Sequence, residues 1–296
     1  MHFTTLFIWF ILYSILGWVY ETIYCSIKDL HWDNRGMLFG PYCPIYGVGA
    51  VADILLCSHF DSPVVVFFCC MFGSAILEYV TSYVTEKLFH AVWWDYSNLP
   101  LNLHGRICLG CSLGFGAAGL IILYGIHPFV ASMTQRIPLN IQELLSLCLM
   151  AVFAADCAWT VDSLATINKK LEETTSAIDN QISEKYDNLI ANTKLKWEEN
   201  LDKLKKSVAS KKSVGEEPAA QEKWHILSLE QFREQRTHEE IKKTISSMSH
   251  GQKRLLRSVA SFRQAHYGKT GNRMKHILLL HKKNKCEDDS ISSSSK

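Results

Sequence analysis

The amino-acid sequence predicts an all-α, polytopic membrane protein: five transmembrane helices, N-terminus outside and C-terminus inside, followed by a long helical cytoplasmic tail. Three observations carry that prediction: a break in charge composition, five apolar runs of spanning length, and one long stretch without glycine or proline. Over its 296 residues the chain has a net charge of +2 and a mean hydropathy of +0.01, values typical of a soluble protein. The average conceals two compositions. Residues 1–160 hold five Lys/Arg and ten Asp/Glu, a balance of −5, while the other 136 residues hold 26 and 19, a balance of +7. A break of that size marks two solvents, bilayer for the first part and cytosol for the second. It excludes a single globular core, and it excludes a disordered first half.

The apolar runs lie at about 3–24, 41–59, 63–84, 106–126 and 140–161. At about 1.5 Å per helical residue each can cross a hydrocarbon layer of roughly 30 Å. The first reads as a retained span rather than a signal peptide, because Met1–Thr5 has no basic residue and no small-residue cleavage site follows. Basic loops stay cytoplasmic. Lys28, Arg35, Lys87 and Arg106 therefore put the two long loops on the same side as the tail, whereas His59–Ser62 carries no Lys or Arg and the fourth-to-fifth connection only Arg136.

Twelve of the 16 glycines and six of the seven prolines fall at or before Pro138, and neither recurs until Gly215, so nothing stops a helix across that interval. Beyond the bilayer an apolar stripe runs Leu164, Ile167, Leu171, Thr174, Ile178, Ile182, Tyr186, Ile190, Thr193, Trp197, Leu201, Leu204, Val208. Its spacing of about 3.67 residues is near the eleven-residue repeat of straight or slightly right-handed packing. It fits either a solvated helix lying against its own chain or a stalk (162–214) pairing with a partner helix as a coiled coil. A hinge is expected at Gly215–Pro218, a basic amphipathic segment over 219–285, and a disordered end over 286–296. The basic segment, with Lys242, Lys243, Lys253, Arg254, Arg257, Arg263, Lys269, Arg273 and Lys275, favours anionic headgroups by roughly 1 kcal/mol per residue near the surface. Interleaved acids and the absence of a recognition module argue against nucleic acid.

Ionisable groups inside hydrocarbon call for a named partner. Glu21 lies near the cytoplasmic end of the first span, Asp53 roughly 18 Å into the second, Glu78 roughly 9 Å from the cytoplasmic end of the third, and Asp156 inside the fifth. Two accounts stand. In one, Glu21 and Glu78 pair with Arg106 and Arg35 and hold the bundle together. In the other, they line a cytoplasm-facing polar cavity that binds an ion, a proton or a charged solute, with Asp53 the deepest group. Gly40, Pro41, Pro44, Gly47 and Gly49 open the second run, and irregular backbone at membrane depth is tolerated only where it is buried in protein or lines a watery cavity. The competing account is an interfacial loop entering the membrane at Ile45 or later.

In the loop after the third run, Trp93, Trp94 and Tyr96 fit an aromatic belt. Asp95, Asn98, Asn102 and His104 beside Arg106 could form a polar constellation, and His90 with His104 a metal pair of undiagnostic spacing. Nine of the ten cysteines lie in or beside apolar runs and read as small apolar side chains, the Cys108/Cys111 pair included, so no metal or other cofactor is expected. Gly110, Gly114, Gly116 and Gly119, the first two a literal GxxxG, form a packing signal, within the bundle or toward a second copy. Gly268–Thr270 resembles the end of a phosphate loop, but Arg263 stands where the first glycine should be. No serine elbow, HExxH or dinucleotide fingerprint occurs, so an enzyme is not expected; a lipid enzyme using Asp95 or His104 is the least supported reading.

Four motifs carry a resemblance: GWVYE (Gly17–Glu21), NRGMLFGPYCPIYGVG (Asn34–Gly49), ILEYVTSYVTEKLFHAVWWDYS (Ile76–Ser97) and LNLHGRICLG (Leu101–Gly110). Together they resemble the bacterial membrane family named putative ABC-transporter type IV, or putative ABC-transporter permease, over roughly Phe3–Val161. The resemblance implies a multi-pass plasma-membrane protein of a Gram-positive-like bacterium and carries over no catalytic residues. With no ATPase module in the chain, an energised role requires a separate ATP-binding subunit. The function read from this is a permease-like component with candidate binding residues Glu21, Arg35, Asp53, Glu78, Asp95, Arg106 and Asp156. The alternative is a non-transporting scaffold acting through the stalk.

Overall fold

The computed structural model describes residues 2–29, 36–208, 219–262 and 268–279. It divides into two units: Met1–Asn168 with Ser249–Gly268, and Lys169–Met248 with Lys269–Lys296. Among the described residues, four helices are long and apolar enough to cross a membrane: Phe3–Ile27, Pro63–Phe89, Leu109–Gln135 and Leu139–Glu199. The protein is an all-α polytopic membrane protein. Its helices turn their large apolar side chains outward, as Val64, Phe68, Phe72, Ile76 and Val80 do, and bury polar ones such as Ser14, Ser82, Ser112 and Ser163. That distribution suits lipid as solvent, where apolar surface is matched by the surroundings and unpaired polar groups are not.

In the first unit, α1 (Phe3–Asp29) is followed by an extended segment, then by α2 (Pro44–Cys57) and α3 (Pro63–Phe89). The second of the five expected crossings is thus not a full helix: α2 has 14 residues, or about 21 Å, against 27 residues and about 40 Å for α1 and α3. The Gly/Pro-rich run is the reason. Gly36 has φ +134°, the chain turns tightly at Tyr42 N–H to Gly40 C=O (2.9 Å), and helix begins only where Pro44 can occupy the first turn without a missing donor. Cys43 N–H then donates to the carbonyl of Ser14, the twelfth residue of α1, so the extended backbone penetrates to about 17 Å from the start of that helix. α2 runs back along α1, and a Cβ on Gly47 would strike the Phe10 carbonyl, so only glycine permits that approach.

The fourth crossing is longer than the expected 106–126. It comprises α4 (Leu109–Leu120), a π-helical turn (Ile121–Ile126) and α5 (His127–Gln135). Pro128 accounts for the π turn. It lacks an N–H and its ring crowds the carbonyl four residues back, so the helix widens, His127 N–H donating to Ile122 C=O, and continues. Trp9, Tyr13, Ala50 and Ile54 pack with Ile122, Leu123, Ile126 and Val130. Polar bonds cross the same interface, Trp9 Nε1 to Thr134 Oγ1 (3.1 Å) and Tyr13 OH with His127 Nδ1 (3.0 Å), and Thr5 Oγ1 donates to Gln142 Oε1 (2.8 Å) of the last crossing. Gln142 Nε2 in turn donates to the carbonyls of Thr134 and Ile137 at the end of α5. Of the four expected packing glycines, Gly116 and Gly119 serve the bundle, lying against Phe67 and Cys70 of α3, whereas Gly110 and Gly114 have nothing within 4 Å.

Between α3 and α4 the loop forms β1 (Ala91–Val92), β2 (Asn102–Leu103) and β3 (Ile107–Cys108), the last two an antiparallel pair. α6 (Leu139–Val208) begins in this unit as the last crossing. Its final elements are α8 (His250–Ser258), opened by a Ser249/Gln252 capping box, and β4 (Ser261–Phe262), which pairs antiparallel with β1.

The second unit pairs the Lys169–Val208 portion of α6 with α7 (Ala219–Ser247), antiparallel, and with α9 (268–279). Lys170 Nζ reaches Ser247 C=O (3.0 Å), Thr174 meets Thr244 (2.8 Å), and Gln181 Nε2 donates to Glu240 (3.2 Å). Leu171, Ile178, Ile241, Ile245, Met248 and Met274 are buried. Leu171, Thr174 and Ile178 of the apolar stripe are therefore covered within this unit, while Tyr186, Ile190 and Trp197 are exposed. The expected hinge at 215–218 and the end at 286–296 lie outside the described residues, as does Arg35.

Candidate functional site

The site is built on the broken second crossing, held from three sides. From α6, Asp156 accepts the backbone N–H of Phe39 (3.1 Å) and Gly40 (2.7 Å) and the hydroxyl of Tyr42. A carboxylate with this many donors is what extended backbone within a bilayer requires, since no water is present to replace them. From α1, Glu21 Oε2 accepts the Cys43 thiol (3.4 Å). From α8, Arg254 donates to the carbonyls of Leu38 (3.0 Å) and Phe39 (2.8 Å), with its guanidinium over the Phe39 ring. Below α8, Ala260 N–H donates to Val92 C=O and extends the β1–β4 contact. A segment expected to seek lipid headgroups is thus engaged, through Arg254, with the membrane unit itself.

Glu78 lies at the interface of α2, α3 and α4, 5% exposed. Its Oε1 accepts the hydroxyl of Tyr96 (3.2 Å), and its Oε2 has no hydrogen-bond partner among the described residues. Burial, and then the Glu78 charge, push the Tyr96 phenol above its ordinary range, so Tyr96 remains a donor. Tyr46 on α2 stands within electrostatic reach of both Glu21 and Glu78. Five residues nearer the start of α3, Gly73 faces Asp53, so Asp53 and Glu78 follow one another by roughly 7 Å along the α2–α3–α4 interface. Asp53 in turn stands with Cys57 and Cys70 as a single group.

Of the expected ion pairs, those of Arg106 are arranged otherwise. Arg106 is joined to Glu86 (2.8 Å) and Ser82 (3.2 Å) and lies over the rings of Tyr79 and Tyr83, rather than pairing with Glu21 or Glu78. The four α3 partners recur at i, i+3, i+4 and i+7, one helix face that meets the end of the following loop. Asp95 accepts from Ser97 N–H (3.0 Å) and Asn102 bonds Leu99 C=O and Gly105 N–H, so both shape the loop. His104 bonds Tyr79 (3.3 Å) on the exposed side. Cys108 Sγ accepts Cys111 N–H as the N-cap of α4, a structural use of the CxxC spacing.

Sequence reasoning missed Tyr46, Tyr96, Arg254 and the Cys57/Cys70 pair. A signal existed for the first two, tyrosines flanking a buried acid's neighbourhood, and for the cysteines in the i, i+4 spacing of Asp53 and Cys57. None existed for Arg254, whose contacts lie 215 and 216 residues away.

Residues 8–161 match the family described as Putative ABC-transporter type IV, and the chain belongs to that family. Neither a curated protein nor a solved structure matches it. The match spans all the membrane crossings through α6 and stops before the second unit. The family and the apolar helices define a membrane protein related to transport.

Proposed function

We propose that the chain is the membrane-embedded, permease-like component of a transporter, passing a small charged solute or ion along α2 past Glu21, Glu78 and Asp53. The observation that carries this reading is the broken second crossing. Extended backbone at membrane depth, beside a buried carboxyl with one oxygen unbonded, is an expensive arrangement that a purely structural bundle has no need of. The Lys/Arg distribution puts the Glu21 and Glu78 end toward the cytoplasm. Energy from nucleotide hydrolysis would enter through a separate ATP-binding subunit.

The test compares cells lacking the protein with cells carrying wild type, Asp53→Asn or Glu78→Gln, by elemental and untargeted solute profiles. Wild type should restore the level of one solute. Neither variant should do so at equal membrane abundance, and restoration by both would overturn the reading. A scaffold role is favoured by one observation, the exposed Tyr186, Ile190 and Trp197 of α6. In that case joint replacement of these three by serine abolishes the phenotype, and the two acid variants leave it intact.

A further inference from the structure

We propose that Asp53, Cys57 and Cys70 form a binding site for a borderline-soft d10 divalent cation, of which zinc is the biological member and cadmium a close analogue. The site does not rest on the transport reading. The carboxylate of Asp53 and the two thiols lie with one potential ligand atom each, all within 4.8 Å of one another, in a single cluster. Cys57 is 1% and Cys70 0% exposed, and both are free thiols. Their sulfurs are 4.0 Å apart. Two sulfurs on one tetrahedral zinc at about 2.3 Å stand about 3.8 Å apart, so the pair needs almost no movement to share an ion. A disulfide would need them at about 2 Å and would leave Asp53 aside. The three donors leave the fourth tetrahedral position to water.

The surroundings suit a cation. Cys57 is the last residue of α2, whose last turn holds no basic residue, so the negative end of the helix dipole faces the cluster. Among the described residues no ion pair occupies Asp53. Gly119 of α4 closes the third side: a Cβ there would crowd Cys70 Sγ and stand 3.5 Å from Asp53 Oδ2. Glycine therefore keeps open the space in which an ion would sit. Two thiolates and a carboxylate are a donor set that selects zinc-like ions over magnesium or calcium. On binding, each thiol loses its proton to solvent, and the filled site carries one net negative charge.

The experiment uses the full chain, purified in detergent, reduced and freed of metal with a chelator, and titrated with Co²⁺ and Cd²⁺. Co²⁺ should give the intense visible bands of a tetrahedral thiolate site, and Cd²⁺ a sulfur-to-metal charge-transfer band, at about one ion per chain. Cys57→Ser and Cys70→Ser should each weaken binding at least about tenfold and Asp53→Asn less, while Cys148→Ser and the Cys108→Ser/Cys111→Ser pair leave it unchanged. If a cluster variant fails to fold, the wild type still decides. Zn²⁺ should displace Co²⁺ and abolish its visible bands. No thiolate spectrum in the wild type, or an unaltered spectrum in a folded Cys57→Ser/Cys70→Ser variant, would overturn the proposal.

Discussion

Ile76 on α3 and Trp197 on α6 each expose 66% of their surface, yet the two exposures have opposite meanings. Around Ile76 the neighbouring outward positions are Phe72 and Val80, while Ser82 and Glu78 point inward. Around Trp197 the helix carries Lys194, Lys196, Glu198 and Glu199, and the buried residues of that unit are Leu171, Ile178, Ile241 and Met274. The first unit is organised by the need to pair polar groups away from lipid, and the second by the need to remove apolar groups from water. In the first, one half-buried carboxylate, Asp156, is a structural centre. In the second, leucines and methionines are.

The comparison can be broken most severely at Asp156. Asp156→Ala leaves the N–H groups of Phe39 and Gly40 and the Tyr42 hydroxyl without this acceptor, at up to about 1–3 kcal/mol for each donor held away from water. A large fall in the melting midpoint of the detergent-solubilised protein is expected. Asp156→Asn should lose less, because an acceptor oxygen remains. Equal midpoints for Asp156→Ala and wild type would show that the extended segment does not depend on this residue.

The paired substitution Ile76→Lys and Trp197→Lys sharpens the contrast directly. Near the middle of a spanning helix a lysine costs roughly 2.5–3.5 kcal/mol, whereas an exposed aqueous position tolerates it within about 0.5 kcal/mol. Membrane insertion, assayed by glycosylation mapping or by extraction, should fall for Ile76→Lys only. Similar behaviour of the two variants would mean that the two surfaces share a solvent.

A smaller effect is expected from Arg254→Ala, which removes charge-assisted bonds to the Leu38 and Phe39 carbonyls worth about 1.5–3 kcal/mol before solvent and relaxation reduce it. The readout is local. Hydrogen exchange should quicken at Ala260, whose N–H donates to Val92, and at residues 36–43, while the interior of α7 keeps its protection. Unchanged exchange at Ala260 would show that β4 holds its place without the arginine.

How much of this was legible in the chain follows the range of the interactions. α1, α3 and the last crossing follow from local composition, because twenty or so apolar residues have few other destinations. The broken second crossing was half legible: glycines and prolines at 40–49 announce irregular backbone, but its depth depends on Ser14 and Asp156, which local pattern cannot connect. Pro128 gave the opposite difficulty, a breaker that the helix absorbs with one wide turn. Arg106 could be placed near acids, yet the choice of Glu86 over Glu78 depends on which face of α3 the returning loop meets. The basic composition around Arg254 suggested lipid, and its engagement with two carbonyls overrode that for this residue. The cysteines were counted correctly as apolar-zone residues, but a count cannot show that two of them meet an aspartate.

The contacts of Arg254 also impose an order on biosynthesis. Its codon follows that of Phe39 by 215 positions. At a ribosomal rate of about 5–20 residues per second, roughly 10–40 s separate the emergence of the two. During that interval the nascent chain holds its irregular stretch with the partners already translated, Ser14 and Glu21 at first and Asp156 later, and the last clasp closes only once Arg254 has emerged.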